Sequence, residues 1–196
     1  MTAVLVLAIA YLVGAIPFGY LLMKWKTGGD IRTKGSGNIG ATNVMRVGGR
    51  AAGIATLLLD IGKGFFAVWV ADRVTDGNPH LMADAALAVM AGHAYPVFLR
   101  FKGGKAVASY VGAFLYLMPW AMAVETIVFV VVVWRTRHIS MGSIVGAATL
   151  PLAAWLVQKS EVPLVVGAII AGAFIIYRHR SNIQRLRAGS ENVFQL

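Results

Sequence analysis

Long apolar runs alternate with short clusters of polar and basic residues along the whole chain. A helix needs about 20 apolar residues, at 1.5 Å rise each, to cross a hydrocarbon layer of about 30 Å. Read against that length, residues 3–23, 52–71, 81–99, 106–118, 119–134, 142–157 and 163–177 are candidate spans. The pattern predicts an all-α polytopic membrane protein with about seven transmembrane helices. Pro17 is a tolerated kink in the first span, because neighbouring groups in a bundle can satisfy the backbone it frees. The run 106–118 is short, so it must tilt, end early or sit in a thinned bilayer. The second span has to accept Asp60 and Lys63, and the fifth Glu125.

Composition agrees. Of 196 residues, 58% are hydrophobic and 13% charged, a balance outside the soluble range for this length. The net charge of +10 would suggest nucleic acid in a soluble protein. Here the basic residues flank apolar runs, which points to membrane orientation and anionic ligands and not to nucleic acid. Of the 18 Lys and Arg residues, Arg73 and Lys159 fall in one set of connections, Lys63 lies inside a span, and the other fifteen share the opposite set. The positive-inside rule puts that rich side in the cytoplasm. With seven spans the N-terminus is then outside and the C-terminus cytoplasmic. No cysteine is present, which excludes disulfides, a thiolate nucleophile and Cys-based metal sites. The first apolar run leads to Lys24 and Lys26 without a convincing processing site, so no cleavable signal is expected. No repeat or long linker divides residues 1–196, which are expected to form a single membrane domain.

Three polar clusters fall on the basic side. The first runs Lys34-Gly35-Ser36-Gly37-Asn38-Ile39-Gly40-Ala41-Thr42-Asn43-Val44-Met45-Arg46. Glycines permit unusual backbone angles and close approach, and successive N–H groups can surround an anion. Ser36, Asn38, Thr42 and Asn43 add directed hydrogen bonds, and Lys34 and Arg46 add charge. The local reading is a phosphate site at a membrane surface. The formal Gly35-x-Gly37-x-x-Gly40 match to a dinucleotide fingerprint lacks the strand and βαβ unit it requires. The second cluster, around Phe101-Lys102-Gly103-Gly104-Lys105, can wrap an oxyanion where the next helix begins, with Lys105 as a point charge. Gly104-Lys105 is followed by Ala106, so it is not a Walker A loop. The third is His179-Arg180-Ser181-Asn182-Ile183-Gln184-Arg185-Leu186, in which His179 and Asn182, three apart, share a helix face. The surrounding arginines also suit anionic lipid. Asp60 and Lys63, three apart inside a span, should pair and face the bundle, since lone charges there cost about 3 kcal/mol. His93 reads as a packed, hydrogen-bonded histidine, Glu125 has no evident partner, and Ser143 alone would be a helix N-terminal cap. No metal-ligand cluster and no cofactor site is expected.

Taken in order, Gly35-Ser36-Gly37-Asn38-Ile39-Gly40-Ala41-Thr42-Asn43, then Phe101-Lys102-Gly103-Gly104-Lys105, then His179-Arg180-x-Asn182-Ile183 resemble the bacterial acyl-phosphate:glycerol-3-phosphate acyltransferases. Asp60-x-x-Lys63-Gly64 looks like that family too, and the likeness covers nearly the whole chain. The resemblance implies transfer of a fatty acyl group from acyl-phosphate to glycerol-3-phosphate, giving lysophosphatidic acid and inorganic phosphate at the start of phospholipid synthesis. It implies a bacterial inner-membrane enzyme with its active site facing the cytoplasm. By position it implies functional roles for Ser36, Arg46, Lys105, Ser143, His179 and Asn182, and phosphate contacts for Asn38, Thr42, Asn43, Gly103 and Gly104. The donor is an activated mixed anhydride, so direct attack by the glycerol hydroxyl is preferred over an acyl-Ser36 intermediate. The proton passes to His179 or to a substrate phosphate oxygen. The competing class, a small anion channel or transporter, needs a polar path to the outside. Connections 72–80 and 158–163 offer few groups for one.

Overall fold

A computed structural model describes residues 1–194, which contain ten α-helices and no strand. These are α1 (Thr2–Ala15), α2 (Phe18–Thr27), α3 (Ala41–Gly48), α4 (Arg50–Val74), α5 (Pro79–Ala94), α6 (Val107–Leu117), α7 (Pro119–Thr136), α8 (Ile139–Leu156), α9 (Val162–Arg178) and α10 (Arg180–Arg187). They form two compact units that divide between Tyr116 and Leu117.

Each expected span lands on apolar helix. Among the described residues, α1 with α2, α4, α5 with the turn after it, α7 and α8 are long and apolar enough to cross a membrane. A sixth crossing results if α9 and α10, bent by 56°, count as one. The 106–118 run differs from a full span because Ala106 has φ +64 and the helix starts only after it. Its 11 residues reach about 16 Å, half of the hydrocarbon thickness.

In the first unit, Pro17 does more than kink the first span. The helix stops at Ala15, Ile16 is extended (ψ 113°), and a new helix starts at Phe18. Pro lacks an N–H and forces its predecessor out of the helical region. The Ile16 carbonyl released at the break accepts a hydrogen bond from Lys63 Nζ at 2.9 Å. α1 and α5 touch backbone to backbone, since a Cβ on Gly14 would strike Val89 O and one on Gly92 would strike Tyr11 O. α4 and α6 meet the same way through Gly64 and Gly112, the small-residue contact that lets membrane helices pack without a hydrophobic driving force. Pro96 ends α5, and Tyr95 leaves the helical region before it.

In the second unit, α7 packs on α8 through Gly142 and Gly146, the latter against the buried Glu125 carboxyl. α9 approaches α8 at Gly172, where a Cβ would lie 2.7 Å from Ala147 O. Gln158 caps α7: its Oε1 accepts from the Trp120 and Ala121 N–H groups at 3.1 and 3.3 Å.

Candidate active site

The first unit carries two of the three polar clusters. Asp30 opens the approach to the first. Its carboxylate accepts from the Arg32 backbone N–H at 2.9 Å and pairs with the Arg32 guanidinium at 2.6 Å. The hydrogen bond from Arg32 holds the Asp30 carboxyl below its ordinary range. The chain then turns twice with positive φ, +58 at Gly35 and +70 at Gly37. A side chain at Gly35 would also collide with Asn43 Oδ1.

Asn43 is the reason. It lies on α3, is 2% exposed, and points back into the loop that precedes its own helix. Its Oδ1 accepts from the Ser36 N–H at 2.8 Å, and its Nδ2 donates to the Asn38 carbonyl at 2.8 Å and the Lys34 carbonyl at 3.1 Å. Asn38 Oδ1 accepts from the Gly40 N–H at 2.8 Å, closing the turn that leads into α3. Ser36, Thr42 and Arg46 are exposed around this framework. The structure therefore ties Ser36, Asn38 and Asn43 into one loop, with the Arg46 guanidinium 3.4 Å from Asn43 Oδ1. The Asn43 amide is directed at backbone within the loop.

The second cluster is laid on the end of α5. Arg100 and Phe101 both take left-handed backbone, and the chain returns along the α5 terminus. There Gly103 N–H donates to Ala94 O at 3.2 Å and Gly104 N–H to His93 O at 3.1 Å. A Cβ on Gly103 would strike the His93 and Ala94 carbonyls, and one on Gly104 the His93 ring. Lys105 follows, half-buried, and Ala106 turns the chain into α6. A non-glycine residue at φ +64 is uncommon and is held there by its surroundings; Ala106 is fully buried. Behind this loop the expected Asp60–Lys63 pair is present, at 2.8 Å, with both side chains 2% exposed. His93, read from the sequence as a packed histidine, joins it: Nδ1 lies 3.6 Å from Asp60 Oδ1.

The second unit carries the third cluster. His179 stands at the joint between α9 and α10, and Asn182 one turn on; both are buried. His179 Nδ1 is 2.8 Å from the Ile175 carbonyl. A carbonyl can only accept, so Nδ1 carries the proton and the basic lone pair is on Nε2. Ser143 is not a helix cap: α8 begins at Ile139, and the buried Ser143 hydroxyl donates to the Ile139 carbonyl at 3.0 Å from one turn inside.

Glu191 is the residue that sequence reasoning missed. Its side chain is 6% exposed, and it accepts from Asn182 Nδ2 at 2.6 Å, Arg185 Nε at 2.7 Å and Ser140 Oγ at 3.0 Å. Burial pushes its carboxyl up, but these three donors outweigh that and hold it below its ordinary value. The carboxylate thus fastens the C-terminal segment to α8 and α10. The available signal was a single acid in a tail otherwise rich in arginine.

An apolar multi-span helical fold with glycine-turned, basic loops defines the class, an integral membrane protein with polar loops beside its apolar helices. Residues 4–189 match the family model for glycerol-3-phosphate acyltransferase. Among curated relatives, the glycerol-3-phosphate acyltransferase of Syntrophotalea carbinolica is 44% identical over 97% of this chain and 97% of its own. That of Geobacter sulfurreducens is 47% identical over 96% and 95%. A crystal structure of PlsY (YgiH), an integral membrane glycerol 3-phosphate acyltransferase in its glycerol 3-phosphate form, superposes with a TM-score of 0.94. It has 37% identity and covers 100% of this chain and 96% of that one. A second crystal structure, the lysophosphatidic acid form, gives 0.92 at 36% identity with the same coverage. The chain belongs to the glycerol-3-phosphate acyltransferase family. The channel or transporter alternative is not favoured.

Proposed function

We propose that the protein transfers a fatty acyl group from acyl-phosphate to glycerol-3-phosphate, giving lysophosphatidic acid and inorganic phosphate. The observation that carries this is the pair of solved relatives at 36–37% identity, whose glycerol 3-phosphate and lysophosphatidic acid forms correspond to acceptor and product. The donor assignment rests on the resemblance of the three polar strings to the acyl-phosphate-dependent acyltransferases, and the site chemistry is compatible with it. Among the described residues, Ser36 makes no hydrogen bond to a histidine or carboxylate that would activate it as a nucleophile. An acyl-phosphate does not require one.

In this reading the glycerol hydroxyl oxygen attacks the acyl carbonyl carbon and a tetrahedral oxyanion forms. The bond to the phosphate oxygen then breaks, and phosphate leaves with the electron pair. The hydroxyl proton passes to His179 Nε2 or to a substrate phosphate oxygen. Lys105 holds phosphate, positioned by the Gly103–Gly104 segment whose own N–H groups are bonded to the Ala94 and His93 carbonyls, while Ser36, Asn38, Thr42 and Arg46 supply donors around the first loop. Asn43 serves by shaping that loop. Asn182 and Ser143 belong to the His179 side. An apolar pocket of about 300 Å³ lined by Ile16, Pro17, Tyr20, Leu21, Phe98 and Leu99 suits part of the acyl tail.

The test is purified protein with glycerol-3-phosphate and palmitoyl-phosphate, with phosphate release and lysophosphatidate formation measured together. Equal amounts of both are expected, and none with acyl-CoA or acyl-carrier protein as donor. Turnover with acyl-CoA but not with palmitoyl-phosphate refutes the donor assignment. We also propose a bacterial inner-membrane location with the N-terminus outside and the three polar clusters in the cytoplasm, on the charge asymmetry. The chain is free of cysteine, so Ser36→Cys and Ser181→Cys can be labelled singly. Labelling of either from outside intact cells overturns that orientation.

A further inference from the structure

The Asp60–Lys63 pair balances its own charge, with both side chains buried in α4. A third ionisable group beside it is not needed for neutrality, yet His93 is there, 4% exposed on the last turn of α5. Its position connects the buried pair to the glycine loop. On one side, Nδ1 lies 3.6 Å from Asp60 Oδ1, and the Lys63 partner of that carboxylate is anchored to the Ile16 carbonyl. On the other side, the His93 carbonyl accepts from the Gly104 N–H, and its ring lies flush against Gly104. The three atoms nearest a Cβ built on Gly104 are all in that ring: Nε2, Cδ2 and Cε1. Gly104 does not take left-handed backbone. Its missing side chain is therefore explained by the imidazole and not by conformational freedom.

We propose that His93 is a positioning residue for the phosphate loop: backed by Asp60 and Lys63, its ring sets the seat of Gly104 and thereby the aim of Lys105. The inference rests on the reading of Gly103–Lys105 as a phosphate site. The chain of contacts is continuous from the break at Pro17 through α4 and α5 to the loop. A shift of the ring by a fraction of an ångström moves the residue next to Lys105 directly, because close-packed neighbours transmit displacement.

A double-mutant cycle on Gly104 and His93 tests this. His93→Asn keeps an N–H where Nδ1 faces Asp60 and removes Cε1 and Nε2 beside Gly104. Steady-state kinetics are measured for both substrates, and Lys105→Gln identifies which Michaelis constant the loop governs. Gly104→Ala is expected to raise that KM about tenfold, and His93→Asn a few-fold, while the KM for the other substrate stays put. The double variant is expected at least threefold below Gly104→Ala alone, because the ring atom nearest the added methyl, Nε2, is gone and the shorter amide can yield. A merely structural role would lower the active fraction and leave KM unchanged. A double-variant KM at or above the product of the two single effects overturns the inference. If Gly104→Ala and Lys105→Gln leave both KM values unchanged, the phosphate-loop reading fails and takes the inference with it. Thermal unfolding in detergent confirms that each variant is folded, and His93→Gln replaces His93→Asn under the same criterion if needed.

Discussion

Replacing Asn43 by Ala separates a residue that shapes the first loop from one that touches substrate. The substitution removes the acceptor for the Ser36 N–H and the donors to the Asn38 and Lys34 carbonyls. At about 1 kcal/mol net for each bond, the ordered loop loses about 3 kcal/mol. At 1.36 kcal/mol per decade that shifts the order–disorder equilibrium of residues 34–40 about a hundredfold. The Arg46 contact at 3.4 Å is too long to add to this sum. Two measurements are needed, kcat/KM and amide exchange by mass spectrometry or NMR. Asn43→Ala should lower kcat/KM at least tenfold and speed exchange at Ser36 and Gly40. Asn43→Asp keeps the acceptor for Ser36 but turns a carboxylate oxygen on two carbonyls, so it should do no better than Ala. Lost activity with unchanged exchange would refute the reasoning and make Asn43 a direct ligand. A wild-type Asn43→Asp would show that the two donated bonds do not matter.

Lys105→Gln removes a charge-assisted hydrogen bond worth about 1.5–3 kcal/mol, so turnover should fall roughly tenfold to a hundredfold, with partial rescue by Lys105→Arg. His179→Ala should erase the acidic limb of the pH–rate profile if Nε2 takes the hydroxyl proton; a retained limb with a raised KM for glycerol-3-phosphate assigns it to positioning. Glu191 has a folded pKa below its ordinary 4.5, so the stability it contributes is complete above that pH and is lost as pH falls below it. Glu191→Gln should therefore unfold at a lower temperature than wild type at pH 7, and the gap should narrow as pH falls below 4.5; a pH-independent gap contradicts the ionic account.

The amino-acid pattern alone determined the class. Hydrocarbon offers no partner for backbone N–H and C=O groups, so each crossing must satisfy its own, and apolar runs of suitable length become helices almost regardless of neighbours. The same one-dimensional logic placed the turns at Gly35 and Gly37, where positive φ favours glycine, and paired Asp60 with Lys63, three residues apart in an apolar span. The three polar strings together carried the family. The tertiary structure decided what those residues face. Asn43 reads from the sequence as one more polar residue of the first loop, and only the fold shows its amide turned on Ser36, Asn38 and Lys34. Ser143 could be a cap, but α8 starts a turn earlier, and the 106–118 run shortens to an 11-residue helix because Ala106 takes left-handed backbone. His93 meets Asp60 across 33 positions of sequence, and Glu191 reaches Ser140 across 51. Hydrogen bonds and ring contacts between distant segments depend on how helices are brought together, and no local periodicity encodes that partner choice.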